Sequence, residues 1–308
     1  MLAVRRGLVL LFGLALLAGC LPSSAQAAVP PYTLSWLLSN GQCPFPLPTG
    51  AGSDGSTDLF LALAPALRGQ GPAHYEAWRV VPFPQQQWRF AEGAGPTSHG
   101  APALAPSQEA GMVVIGAEDG SVRGIATGSG ALLWRCPLPG PVRSSVAVAD
   151  ANGDGAEEAL VGCADGGVYC LSLAGQVLWR AAVGEPVSSS PAVADIDSEG
   201  VWEVFIGCED GSVYCLSGRD GGVRWRFPTG WAVTGSPLVG DLEGKGRDVV
   251  LVGSDDCYLY CLDALQGRLL WRWRTGAPVI GTCAVAEVAG DQALEVLCGS
   301  DNLYCLSS

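Results

Sequence analysis

Tryptophans at 88, 134, 179, 225 and 271 stand 46, 45, 46 and 46 residues apart, and the segments between them repeat one another. "LLWRCPLPGPVRSSVAVADANGDGAEEALVGCADGGVYCL" returns as "VLWRAAVGEPVSSSPAVADIDSEGVWEVFIGCEDGSVYCL" and again as "VRWRFPTGWAVTGSPLVGDLEGKGRDVVLVGSDDCYLYCL". Each copy holds four short β-rich runs: one such as "SSPAVAD", one such as "WEVFIGC" after an acidic loop, "GSVYCLS" after an Asp-Gly turn, and a closing "GGVRWRF". A repeat of this length with four strands per unit indicates β-propeller blades, and no amphipathic helix interrupts the pattern.

The same spacing extends toward the N-terminus. "SWLL", "GSDGSTDLFLALA", "HYEAWRVV" and "QQQWRF" form a degenerate first unit over about 33–90, with Trp36 and Trp88 as Trp-bearing strand positions. The last unit ends at "LYCLSS" without a closing strand, and "YTLSWLL" is an unpartnered strand of that type. Pairing them would remove two sheet edges. The expectation is an all-β propeller of six four-stranded blades closed by the N-terminal strand, with five or seven as alternatives, forming one domain over 29–308.

Residues 1–28 carry Arg5 and Arg6 before an apolar run too short to span a bilayer, which is the pattern of an export signal. "LAGC" at 17–20 makes Cys20 a candidate lipidation site, whereas "AQA" at 25–27 suits cleavage after Ala27. The mature chain is then secreted, or held at the cell envelope by a lipid anchor and not otherwise by membrane. Removing the two signal arginines takes the formal charge from −13 to −15, and the one lysine is Lys245. Such a surface disfavours nucleic acid as a partner.

Twelve cysteines in an exported chain suggest disulfides, but their spacing does not. Cys163 and Cys170, Cys208 and Cys215, and Cys298 and Cys305 flank tight turns. A two-residue turn at Asp165 and Gly166 would pair 163 with 168 and 161 with 170, leaving the sulfurs diagonal. Most of the cysteines read as small buried apolar side chains.

The acidic loop "DANGDG" has oxygen donors at positions 1, 3 and 5, yet Val161 stands where an EF-hand needs its bidentate Glu. A shorter inter-strand calcium site fits: Asp150, Asn152, Asp154, the Ala156 carbonyl and Glu158. The next unit repeats it as Asp195, Asp197, Glu199, the Val201 carbonyl and Glu203. Clustered carboxylates repel and a hard cation offsets that repulsion, so one or two structural calcium ions are expected. The third copy carries Lys245 and Val249 and should bind none; the fourth keeps Glu287, Asp291 and Glu295 but has Ala289; the first offers only Asp54 and Asp58. The competing reading is a set of solvated acidic turns.

Residues just before the first strand of each unit should open onto a channel mouth, where propellers bind ligands. His99, Arg143, Ser188, Thr234 and Ile280 align there, with Trp231 beside them, as a candidate binding rim; plain loops are the alternative. The histidines, His74 and His99, have no nucleophile pattern nearby.

"EDGSVYCL", "GRLLWRWRTGAPV" and "SSSPAVAD" resemble the repeats of pyrroloquinoline-quinone-like β-propellers, and "DANGDGAEEALVG" resembles the calcium loop of FG-GAP propellers. The resemblance implies either a non-catalytic scaffold binding another envelope or extracellular protein, or a glycan, or a quinoprotein oxidoreductase holding the quinone in its channel. The enzymes of that family commonly use adjacent cysteines against the quinone, and this chain has no Cys-Cys pair. Fold alone does not assign the activity.

Overall fold

The computed structural model describes residues 59–64, 74–79, 85–90, 100–105, 111–242, 244–286 and 294–307. Among them there are strands and turns and no helix. The signal segment, Cys20, and the Trp36 strand expected to close the last unit lie outside the described residues.

The first sheet joins β1 (Leu59–Ala64), β2 (His74–Arg79) and β3 (Gln85–Phe90), each antiparallel to the next. The second holds β4 (Ala103–Ala105), β5 (Met112–Gly116), β6 (Ser121–Ala126) and β7 (Leu132–Pro137). The third holds β8 (Ala147–Ala149), β9 (Glu158–Cys163), β10 (Gly167–Ser172) and β11 (Val177–Ala182). The fourth holds β12 (Ala192–Ala194), β13 (Glu203–Cys208), β14 (Ser212–Ser217) and β15 (Val223–Pro228). The fifth holds β16 (Leu238–Gly240), β17 (Val249–Ser254), β18 (Tyr258–Asp263) and β19 (Leu269–Arg274). The last has β20 (Ala284–Ala286), β21 (Glu295–Gly299) and β22 (Leu303–Ser307), with β22 at its edge among the described residues. Contacts divide the chain into two units: β1–β3 fall in the first with residues 107–112 and 125–132, and the remaining strands fall in the second.

Burial runs outward across each sheet of the second unit. The second strands β9 and β13 are buried at every residue, whereas the fourth strands β11 and β15 expose alternate side chains. This follows from chemistry: "EALVGC" and "EVFIGC" are apolar on both faces, while "VLWRAA" and "VRWRFP" carry arginine.

Two residue patterns set how neighbouring sheets meet. The glycine near the end of each second strand lies under a valine of the following unit: Gly116 under Val142, Gly162 under Val187, Gly207 under Val233 and Gly253 under Val279. A Cβ on Gly207 would stand 2.5 Å from Val233 Cγ1 and 2.7 Å from its carbonyl oxygen. Only glycine leaves room for that approach. Alongside, the backbone N–H groups of Ala101, Ser145 and Ser190 donate to the Oγ atoms of Ser145, Ser190 and Ser236 at 2.9, 2.8 and 2.9 Å. Each first strand thus satisfies its neighbour's amide through a hydroxyl.

The recurring tryptophan seals the outer part. Trp179 donates from Nε1 to the Gly218 carbonyl at 2.8 Å, and Trp225 to that of Ala264 at 2.8 Å, so each reaches the turn region of the following sheet. Trp271, whose following sheet has no such turn among the described residues, is exposed.

The hairpin between β9 and β10 differs from expectation. Cys163 pairs with Gly167 and Leu160 with Cys170, so the loop has three residues, 164–166, with Gly166 at φ 78°. The Gly166 amide donates to the Cys163 carbonyl at 3.2 Å, so the turn closes on Cys163, one residue earlier than a loop at 165 and 166 would. The shift of one position puts Cys163 and Cys170 on opposite faces, not on a diagonal, and β13–β14 repeats it. All ten described cysteines are free thiols, and eight are buried.

Gly207→Ala forces Val233 aside and should cost about 1–3 kcal/mol of overpacking strain. Chemical denaturation of this variant beside Gly240→Ala, where a Cβ meets nothing within 4 Å, measures the difference.

Candidate functional site

The acidic loops join the first and second strands, so one end of each loop is fixed by the β8–β9 or β12–β13 ladder. Glu158 pairs with Ala149 and Ser172, Glu203 with Ala194 and Ser217, and Glu295 with Ala286 and Ser307. The ninth loop position is therefore the first residue of every second strand, and all three carboxylates are buried. In the third copy Val249 takes that place, and the buried carboxylate beside it is Asp263 across the ladder, which accepts from Arg247 at 2.7 Å.

In the first loop the backbone wraps around Asp150. Its Oδ1 accepts from the amides of Gly153 at 2.9 Å and Asp154 at 3.0 Å, and its Oδ2 from Gly155 at 2.9 Å. Asn152 donates from Nδ2 to Asp154 at 3.0 Å and to Glu158 Oε1 at 3.1 Å, while Glu158 Oε2 accepts from the Ala151 amide at 3.0 Å. Asp154 Oδ1 accepts from Ala156 at 2.8 Å. Burial pushes the Glu158 carboxyl above the usual range against those amide bonds, and Asp154 and Asp150 add repulsion. Burial and Asp150 do the same to Glu157, whose Oε2 is buried without a hydrogen-bond partner.

The second loop repeats the wrap: Asp195 accepts from Glu199 and Gly200, each at 3.1 Å, and Asp197 accepts from the Glu199 amide at 3.2 Å. Asp195, Asp197 and Glu203 bring carboxylate oxygens within 4.8 Å of one another, the tightest grouping of potential metal ligands among the described residues. The Glu199 side chain is exposed and outside that group, and Val201 is buried.

Sequence reasoning missed Arg224. Its Nη1 lies 2.8 Å from Asp197 and 2.8 Å from Glu203 Oε1, a contact at ion-pair distance that lacks hydrogen-bond alignment at Glu203. Burial raises the Glu203 carboxyl, and the Ile196 amide and then Arg224 oppose it. The signal was present: the residue before the closing-strand Trp is Leu133, Leu178 and Leu270 in the other copies but Arg224 here. The second loop thus has its own cation, and the first has none in the same position.

In the third loop Asp241 accepts from Gly246 at 2.5 Å, and burial with Asp241 raises Asp248. Glu287, Ala289 and Asp291 of the fourth copy and Asp54 and Asp58 of the first lie outside the described residues.

The candidate rim lies at the other end of the same strands, since its residues precede the first strands that the acidic loops follow. His99 is outside the described residues. Arg143 is gripped by Glu118 at 2.8 and 3.3 Å, Ser188 donates to Glu209 at 2.6 Å, and Thr234 donates to Asp255 at 2.9 Å. Trp231 and Ile280 are 69% and 68% exposed. Close by in each hairpin a polar triad recurs. Tyr169 donates to Asp165 at 2.6 Å, Arg180 reaches the same carboxylate at 3.0 Å and lies over the Tyr169 ring, and Tyr214, Asp210 and Arg226 repeat it. The arginines after Trp179 and Trp225 are members of this triad, and Arg135, after Trp134, meets Asp119 beside Arg123. Burial and Asp165 push the Tyr169 hydroxyl up to about 12, so it stays a donor.

Two family models match parts of the chain: a lambda-carrageenase β-propeller domain over residues 112–191 and the outer membrane protein assembly factor BamB over residues 209–305. A search of curated protein sequences finds no match. Among solved structures, Sqt1 of Saccharomyces cerevisiae superposes with a TM-score of 0.65 at 14% identity, covering 81% of this chain and 68% of that one. BamB of Moraxella catarrhalis does so with a TM-score of 0.57 at 17% identity, covering 83% and 72%. BBS1N, solved in complex with ARL6DN, gives 0.56 at 13%, covering 79% and 71%. The repeating four-stranded sheets and these matches agree on a β-propeller fold, and over residues 209–305 the chain is similar to the pyrroloquinoline-quinone-like repeats of the BamB family.

Proposed function

We propose that the protein is a non-catalytic, exported β-propeller scaffold that binds another protein of the envelope or extracellular space at its rim and is stiffened by calcium in its acidic loops. The observation that carries the binding role is the pair of apolar side chains, Trp231 and Ile280, left more than two-thirds exposed beside polar groups already satisfied within the rim. A large aromatic that buries nothing in its own fold is a usual anchor for a partner. Two of the similar proteins act with other proteins by their names, an outer-membrane assembly factor and a complex with ARL6DN. A glycan is the other class of ligand that such an aromatic suits. Photo-crosslinking from a probe at position 280 in envelope extract should trap a protein, and adding Trp231→Ser should abolish the adduct; labelling no stronger than from exposed Val177 would reject the rim.

Calcium is favoured in the first loop, where Asp150 and Asp154 repel the buried Glu158 and no arginine ion pair forms among the described residues, whereas the tighter carboxylate grouping of the second loop already has Arg224. The ion would add side-chain and carbonyl coordination and relieve repulsion within the loop. Chelator should lower the melting temperature, and Asp154→Ala and Glu203→Ala should each remove part of that response. An unchanged melt with chelator would retire the metal. Arg224→Leu, which installs the residue found at 133, 178 and 270, should tighten calcium at the second loop and lower the calcium-free melting temperature. Isothermal titration measures the first effect and calorimetry the second.

The carboxyl of Glu158 yields a pH dependence of definite sign. Because its folded pKa is raised, the native state binds more protons than the unfolded chain between the ordinary and raised values. Its contribution to stability therefore falls as pH rises through that window. In chelator, Glu158→Gln should melt higher than wild type near neutrality, and the difference should shrink toward about pH 4. Parallel pH profiles of the two proteins would remove this assignment.

A further inference from the structure

Extending the β20–β21 register by one residue beyond Ala284 and Leu297 sets Cys283 opposite Cys298. Both sulfurs are buried in one apolar cluster with Leu251, Leu259 and Val279. The equivalent positions in the preceding sheets hold apolar pairs: Val146 with Val161, Pro191 with Ile206, and Pro237 with Val252. Proline has no N–H to give, so this position does not use its amide in the ladder and is a non-hydrogen-bonded pair. Directly opposed residues of that kind have Cα atoms about 4.5 Å apart, within the span a disulfide bridges. Cys298 and Cys305, seven apart across the hairpin, cannot substitute. Cys305 pairs with Leu297, which places its sulfur on the other face from Cys298.

We propose that Cys283 and Cys298 are an oxidisable pair that forms a cross-strand disulfide, tying the short first strand of the last described sheet to its second strand. The oxidant is a disulfide, either glutathione disulfide or a protein dithiol oxidant. One thiolate attacks it, forming a mixed disulfide and releasing one thiol. The second thiol then displaces the other, so two protons and two electrons pass to the oxidant, which leaves as two thiols, and one S–S bond forms. Both sulfurs are buried, so exchange takes place before the sheet has closed, or when β20, three residues long and backed by the edge-bearing sheet, opens locally. The bond closes residues 284–297, including the fourth acidic loop, within a covalent ring.

Full chain made in an oxidising compartment, and full chain refolded in a glutathione redox buffer, should be acid-quenched, denatured, alkylated and digested with trypsin and a Glu-specific protease. The expected result is Thr275–Glu287 linked to Val296–Ser308 through Cys283 and Cys298, with Cys305 alkylated. Reductant should lower the melting temperature by several degrees, and Cys283→Val/Cys298→Val, which copies the pair at 146 and 161, should melt independently of reductant. Recovery of Cys283 and Cys298 as alkylated thiols from both preparations, or a Cys298–Cys305 link, would overturn the proposal.

Discussion

A backbone passing beneath a valine is the contact on which the larger unit rests. Gly116, Gly162, Gly207 and Gly253 admit Val142, Val187, Val233 and Val279 to distances that no Cβ tolerates. That proximity brings the first strands near enough for one serine hydroxyl to meet the next sheet's amide. It also carries the Trp indoles to the turn carbonyls of the following sheet. Apolar area supplies the driving force, with Phe205, Leu160 and Leu251 fully buried, but the glycines decide where that area can be brought together.

The two ends of each sheet are then free to differ. At one end, carboxylates are held by backbone amides and pressed together by burial, so their charge is a cost unless a cation offsets it. At the other, Asp165 and Asp210 are neutralised by arginine and tyrosine and fix the hairpins that support Trp231 and its neighbours. Similar residue types serve opposite ends because Arg135, Arg180 and Arg226, each following a Trp, reach the hairpin, while Arg224, preceding one, reaches the loop.

Strand order, strand type and the acidic loops were legible from periodicity because a repeat averages out local ambiguity: the ladder begins at Glu158, Glu203 and Glu295 in register. Even the degenerate first unit yielded β1, β2 and β3 where its spacing placed them. What spacing could not give was the phase of the hairpins, since Asp-Gly suits two-residue and three-residue turns alike and only the pairing of Cys163 with Gly167 shows the longer. Arg224 escaped for a related reason. It stands before the indole on the closing strand, and the loop it reaches lies more than twenty positions away in sequence. The triad of Asp165, Tyr169 and Arg180 was hidden because its members sit on three chain segments and none is unusual alone.

The serine relay gives the chain a modular grammar. Ser145 and Ser190 each offer an amide to one neighbour and a hydroxyl to the other, so a unit inserted between two such units finds an acceptor on one side and a donor on the other. Duplication of a whole repeat leaves no orphaned polar group at either new junction. A partial insertion would break the relay at once, and this selects for growth in whole steps of some forty-five residues, the interval between Ser145 and Ser190.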